Sequence, residues 1–269
     1  MCGHDGHAAC LLGGMSIYLQ NLSKIPSNRG VRFLFQPGEE GAGGAREMIK
    51  AGCLENVDEI YGNHNMPRRE LAGKVCCNAG PMMAGFSIIE VKIKGIGGHG
   101  SKPECCKNPV PVTAEVYLKM QALLDQAMAE NSELKGSIPK LVGSNALNVI
   151  PEDCTIAGTI RSFSKTYPIE LLEKMEQATK EICDARGFEF EWKSQPNFFK
   201  PVINDEWSHS WVKKAVTEVY GEGMCTDEGC PVFASEDFSD FCVGNFFLVG
   251  RWSKDRYPWE LLVCASWDQ

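Results

Sequence analysis

The sequence predicts an α/β protein, a mostly parallel sheet covered by helices and interrupted by a compact α+β insertion. Three observations carry this. Short, near-continuous apolar strands alternate with helices over the first part of the chain. Near residue 84 the pattern changes to apolar–polar alternation, the mark of half-exposed antiparallel strands. From about residue 195 the first style returns.

Residues 8–24 carry Leu11, Leu12, Met15, Ile17, Leu19 and Leu22 at helical spacing. Val31 to Phe35 is a short apolar-rich strand, 44–51 a helix and 57–61 a second strand. The run FSIIEVKIK from Phe86 alternates. A long helix follows over 110–130, then strands over 140–149 and 153–162, a helix over 168–186 and a strand over 188–193. That strand–helix–strand–strand–helix–strand order is ferredoxin-like and places both helices on one face. A helix over 207–220 and a strand over 246–249 complete the reading. The expected division is a discontinuous first domain of 1–84 and 195–269, with 85–194 inserted.

A net charge of −8 without a basic patch argues against a nucleic-acid partner. No apolar run approaches the ~20 residues that span a bilayer, and the first residues lack a signal-peptide pattern. These features predict a cytoplasmic protein. The thirteen cysteines are scattered and form no CxxC pair, so most read as small, buried, reduced residues.

Three segments carry metal-competent side chains. In Cys2-Gly-His-Asp-Gly-His7, thiolate, imidazole and carboxylate are all ligands for borderline divalent ions. Cys2 and His4 would share one side of an extended segment. The same string also reads as a helix N-cap built on Asp5. Gln36-Pro-Gly-Glu-Glu-Gly41 follows a strand directly, where ligands gather in α/β sheets. One glutamate can ligate while its neighbour takes a proton. A bare EE pair is more often a solvated acidic loop. Gly62-Asn-His-Asn also follows a strand. His64 taken singly is an ordinary polar loop residue, but three such loops together favour a metal site.

CGHDGH, QPGEEGAGGAREMIKAG, NHNMP, AGPMMAG, GIGGHGSKP, NALNVIPE, GTIRSFS and SEDFSDF occur in that order. The series resembles the signatures of M20 amidohydrolases, in the branch of hippurate hydrolases, N-acyl-L-amino acid amidohydrolases and auxin-conjugate hydrolases. The resemblance implies metal-dependent hydrolysis of the amide bond of an N-acyl amino acid. It implies two divalent ions (zinc, manganese, cobalt or nickel) held by Cys2, His4, Glu40 and His64, with Glu39 as general base. His99 would stabilise the tetrahedral intermediate, and Asn148 and Arg161 would bind the substrate carboxylate. Arg161 suits that role because a guanidinium meets a carboxylate bidentately. The insertion would serve as a lid and homodimerisation domain. Glu236 and Asp237 match a signature read as structural support. His7 reads as a cap neighbour and His209 as a packing residue.

Two departures from the pattern stand out. The relatives carry a helix, central strands and a loop before Cys-Gly-His, whereas here Met1 precedes Cys2. No histidine follows His209, and the ending RWSKDRYPWELLVCASWDQ matches nothing in the pattern. The expectation is a fragment with weak metal binding and little turnover. The competing expectations are a non-catalytic dimerisation or binding module and a metallo-carboxypeptidase or dipeptidase.

Overall fold

A computed structural model describes residues 3–41, 43–65 and 71–242, and the backbone of 259–267. The chain forms two compact units, 1–83 with 202–269, and 84–201.

The first unit opens with helix α1 (His4–Gln20), then strand β1 (Arg29–Pro37), helix α2 (Gly44–Lys50), strand β2 (Glu59–Gly62) and two short strands, β3 (Val75–Cys76) and β4 (Gly80–Met83). In the second unit strand β5 (Gly85–Lys94) leads to β6 (Gly98–His99), helix α3 (Val110–Glu130), β7 (Leu134–Val142), β8 (Val149–Ile150) and β9 (Asp153–Ser162). Helix α4 (Tyr167–Arg186), β10 (Glu189–Trp192) and β11 (Gln195–Phe199) end that unit. The chain then returns with β12 (Val202–Asn204), helix α5 (Glu206–Tyr220), β13 (Cys225–Thr226), a 3₁₀ turn (Asp237–Asp240) and β14 (Trp259–Trp267).

In the first unit β1, β14 and β2 form a parallel sheet with β14 in the middle. Both flanking strands therefore end at the same rim, where the loops Gln36–Gly41 and Asn63–Asn65 begin. Leu34, Ala45, Val57, Ile60, Phe238 and Phe241 make up much of the core beside this sheet. Burying each large apolar side chain contributes about 1.5–3 kcal/mol. Helix α1 buries His4, His7 and Leu11, while Leu12, Ile17 and Leu19 are exposed.

In the second unit β10, β5, β9 and β7 form an antiparallel sheet, with β11 also paired to β5. Alternate residues of β5 (Ile89, Val91, Ile93) and β9 (Cys154, Ile156, Ile160) are buried, as the sequence alternation requires. Val112, Val116, Met120 and Leu124 of α3 and Leu171, Leu172 and Met175 of α4 complete that core. Helix α4 ends where Gly187 turns left-handed and Phe188 N–H reaches the Cys183 carbonyl at 2.8 Å.

Several expectations need correction. The first helix starts at His4 rather than residue 8, because Gly3 at φ 78° turns the chain and Gly6 N–H closes on the Gly3 carbonyl. The histidine motif is therefore helical, not extended, and Gly3 rather than Asp5 takes the N-cap position, with no side-chain cap bond. The strand expected over 140–149 lies at Leu134–Val142, and Ser144 turns the chain by accepting the Ala146 N–H. Pro139 hides the true strand from a periodicity reading. It is tolerated because β7 is the outer strand and its register shifts between Ser137 and Lys140. Residues 195–201 belong with the second unit, since β11 pairs with β5. A strand with no counterpart in the sequence reading, β14, also lies in the ending that matches none of the signatures. Its run Leu-Leu-Val-Cys-Ala is apolar enough for a strand paired on both sides. The strand expected over 246–249 falls outside the described residues.

Candidate metal centre

The rim of the parallel sheet gathers two buried histidine rings, His4 and His7, the half-buried ring of His64 and a set of carboxylates. His4 and His7 stand one helical turn apart on α1 and share a face. Their ring centroids are 5.2 Å apart, and those of His7 and His64 are 4.6 Å apart. Cys2, the expected thiolate ligand, lies outside the described residues.

The loop after β1 is held by backbone geometry that admits little substitution. A Cβ on Gly44 would lie 1.5 Å from the Pro37 carbonyl oxygen, so the start of α2 can press on the end of β1 only as glycine. Asp237 closes the turn from outside. Its carboxylate accepts from the Gln36 side-chain amide at 2.6 Å and from Ala45 N–H at 3.0 Å, joining the end of β1 to the first turn of α2. Arg46 adds a 2.6 Å ion pair to Asp240. Glu39 is thereby buried while Glu40 faces solvent.

Glu39 Oε2 lies 3.8 Å from His4 Nε2, and ligand atoms of His4, Glu39 and Glu40 all fall within 4.8 Å of one another. Carboxylate oxygens of Glu39, Glu236 and Asp237 likewise lie within 4.8 Å of one another. Glu236 Oε2 is also 3.9 Å from His64 Nε2. Burial, and then the Glu39 carboxylate, push the Glu236 carboxyl well above the ordinary carboxylate range. Such crowding of buried carboxylates is costly without a cation. The nitrogen–oxygen donor set at this spacing fits a borderline divalent ion.

The imidazoles differ in what they can offer. His64 Nδ1 faces the Asn65 carbonyl at 2.6 Å, so in the neutral ring Nδ1 carries the proton and Nε2 keeps its lone pair toward Glu236. Burial lowers the His64 pKa. His7 is fully buried and its Nε2 accepts the Asn65 N–H at 2.8 Å. Burial, followed by the neighbouring His64 and His4, lowers its pKa to about 4. His7 is thus neutral and already engaged through Nε2.

The remaining expected site residues lie in the second unit. His99 ends β6, which pairs with β8, and Gly100 N–H donates to the Asn148 carbonyl at 2.7 Å. The structure therefore brings His99 and Asn148 together, both exposed. Ser101 N–H and its hydroxyl both approach His99 Nδ1, at 3.2 and 2.7 Å. The acceptor role at Nδ1 leaves Nε2–H as the free donor, the tautomer suited to an oxyanion. Arg161 lies apart from that pair in sequence, on β9, with its guanidinium 5.2 Å from the Phe86 ring centre. Burial lowers its pKa.

His209, expected only to pack, has Nδ1 3.4 Å from Cys77 Sγ. Sequence reasoning underrated Glu236, His7 and Asn65. Glu236 carried a signal in SEDF, but nothing in the string indicates that it reaches His64.

The description Peptidase family M20/M25/M40 matches residues 1–257 of the chain. The chain belongs to this family. Among curated relatives, the IAA-amino acid hydrolase ILR1-like 4 of Arabidopsis thaliana is 34% identical over 265 residues, covering 96% of this chain and 59% of the relative. The hippurate hydrolase of Campylobacter jejuni is 32% identical over 244 residues, covering 90% and 62%. The crystal structure of the Bacillus subtilis YXEP protein, a dinuclear metal binding peptidase from the M20 family, superposes with a TM-score of 0.66 at 29% identity. That match covers 89% of this chain and 60% of the other. The chain thus spans about three-fifths of the length of these relatives.

Proposed function

We propose that this chain carries the centre of a metal-dependent amidohydrolase that cleaves the amide bond of N-acyl amino acids. The observation that supports this best is the convergence of His4, Glu39, Glu40, His64 and Glu236 at one sheet rim, in a family whose relatives bear the names hippurate hydrolase and IAA-amino acid hydrolase. Cys2, His4, Glu40 and His64 would hold two divalent ions. When bound, these supply Lewis acidity toward the amide carbonyl and lower the pKa of a water. Glu39 takes the proton from the attacking water. It then returns that proton to the departing amine nitrogen, so the amide C–N bond breaks without a covalent enzyme intermediate. The Nε2–H of His99 stabilises the oxyanion, and Asn148 and Arg161 receive the amino acid carboxylate. The second unit acts as lid and dimerisation domain.

The test pairs metal analysis with rate measurements on hippurate, N-acetyl amino acids, an IAA conjugate and dipeptides. Glu39→Gln is expected to lower turnover on the acyl amino acids by at least 10²-fold with metal content unchanged. Equal rates for the variant, or a protein free of divalent ions and indifferent to chelators, would overturn the proposal. Faster dipeptide cleavage would move the assignment to a dipeptidase.

A further inference from the structure

The motif Gly3-His4-Asp5-Gly6-His7 contains more than the proposed site consumes. Two glycines and a buried histidine have no part in ligation. All three meet one residue of the opposite loop, Asn65. Its backbone N–H donates to His7 Nε2 at 2.8 Å, and its side-chain Nδ2 donates to the Gly3 carbonyl at 2.8 Å. Its own carbonyl receives His64 Nδ1 at 2.6 Å. Asn65 therefore spends two polar groups on a bridge between the segment holding His4 and the loop holding His64, and a third on the His64 ring itself.

The glycines make room for that bridge. A Cβ on Gly6 would lie 2.6 Å from Asn65 Nδ2, and one on Gly3 would lie 3.2 Å from it. Gly3 also has φ 78°, where other residues are strained. His7 commits its Nε2 to this bridge. Fully buried and accepting at Nε2, it keeps its neutral-state proton on Nδ1 and offers no Nε2 lone pair to an ion. The bond from His64 to the Asn65 carbonyl also fixes the proton on Nδ1 of that ring, keeping the Nε2 lone pair of His64 directed to the Glu236 side of the site.

We propose that Asn65, anchored by His7, is a positioning residue that sets the separation of His4 and His64 and fixes the His64 tautomer for metal binding. This rests on the metal-site reading above. Residues that orient ligands in this way typically govern metal affinity by 10–100-fold.

The test measures Co²⁺ affinity by chelator competition, and the visible Co²⁺ spectrum, for the whole chain and its variants. Metal-free circular dichroism and melting temperature report folding. Asn65→Ala and Gly6→Ala are each expected to weaken Co²⁺ by about 10-fold and to alter its spectrum, with little change in the metal-free melt. Gly6→Ala should add nothing on top of Asn65→Ala, because the atom it displaces is gone. His7→Leu should weaken binding further, and His7→Gln, whose Oε1 can accept the same N–H, should restore much of it. If the unaltered chain takes up no Co²⁺, the metal-site reading itself fails. If it binds Co²⁺ and Asn65→Ala binds with equal affinity and spectrum, the positioning role is wrong while the metal site stands. Additive effects of Gly6→Ala and Asn65→Ala would likewise overturn it.

Discussion

At the scale of single residues the site is a problem of buried charge. Glu39 and Glu236 crowd together at the rim, and the rings of His7 and His64 are desolvated there. His7 makes the pH consequence concrete. Its pKa falls from 6.5 unfolded to about 4 folded. Between those values the unfolded chain binds a proton that the folded one refuses. The stability that His7 contributes is therefore complete above pH 6.5 and lost as pH falls toward 4, by at most about 1.4 kcal/mol per pH unit. In chelator, the melting temperature of the unaltered chain should fall more steeply over that window than that of His7→Gln. Identical slopes would mean that His7 is not buried as described. Glu236 works in the opposite direction. Its raised pKa keeps a proton that the unfolded chain has lost, so rising pH above 4.5 destabilises the metal-free fold. Glu236→Gln should melt higher than the parent in chelator at pH 8, and the gain should disappear near pH 4. The side-chain types at the rim were legible in the sequence, because histidine beside glycine and paired glutamates after strands are rare in combination. Their three-dimensional partners were not. Nothing in SEDF announces that Asp237 ties Gln36 to Ala45, since that contact joins segments far apart in the chain.

At the scale of elements, what the sequence revealed followed periodicity, and what it concealed followed local breaks in it. The helix over Val110–Glu130 and the strand over Asp153–Ser162 were readable to the residue, because both carry uninterrupted patterns against one core. β7 was misplaced because Pro139 and a register shift interrupt its alternation. β14 escapes a periodicity reading because its run Leu-Leu-Val-Cys-Ala carries no apolar–polar alternation. The parallel sheet makes two predictions here. In hydrogen exchange, the amides of Leu261 to Cys264, paired to β1 and β2 at once, should be among the slowest of the first unit. Fast exchange there would remove β14 from the sheet. Gly44→Ala places a Cβ against the Pro37 carbonyl oxygen and should cost about 3 kcal/mol or more in urea denaturation, with loss of metal binding as α2 moves off β1. A cost under about 0.5 kcal/mol, the level of an indifferent surface change, would show that the two segments do not touch.

At the scale of the whole molecule, the open question is what the second unit does with its surface. Its core is complete: the apolar residues of α3 and α4 close over the antiparallel sheet. Yet Leu118 on α3 and Leu141 and Val142 on β7 remain exposed. β7 is the outer strand of its sheet among the described residues, and an outer strand offers unpaired backbone groups to another chain. Pro139 and the register shift blunt its middle, as edge strands commonly are, which leaves Lys140 to Val142 as the stretch able to receive a partner. A homodimer formed through this unit would cover those apolar side chains, and its two copies would pair like surfaces about a twofold axis. Light scattering on the purified chain is then expected to give twice the chain mass. Leu118→Glu together with Leu141→Glu should halve it, because each buries a carboxylate in the interface, while the melt of the separated chains stays within a few degrees of the parent. A parent that is already monomeric at high concentration would rule out this surface as a self-association site. A variant that remains dimeric would place the interface elsewhere.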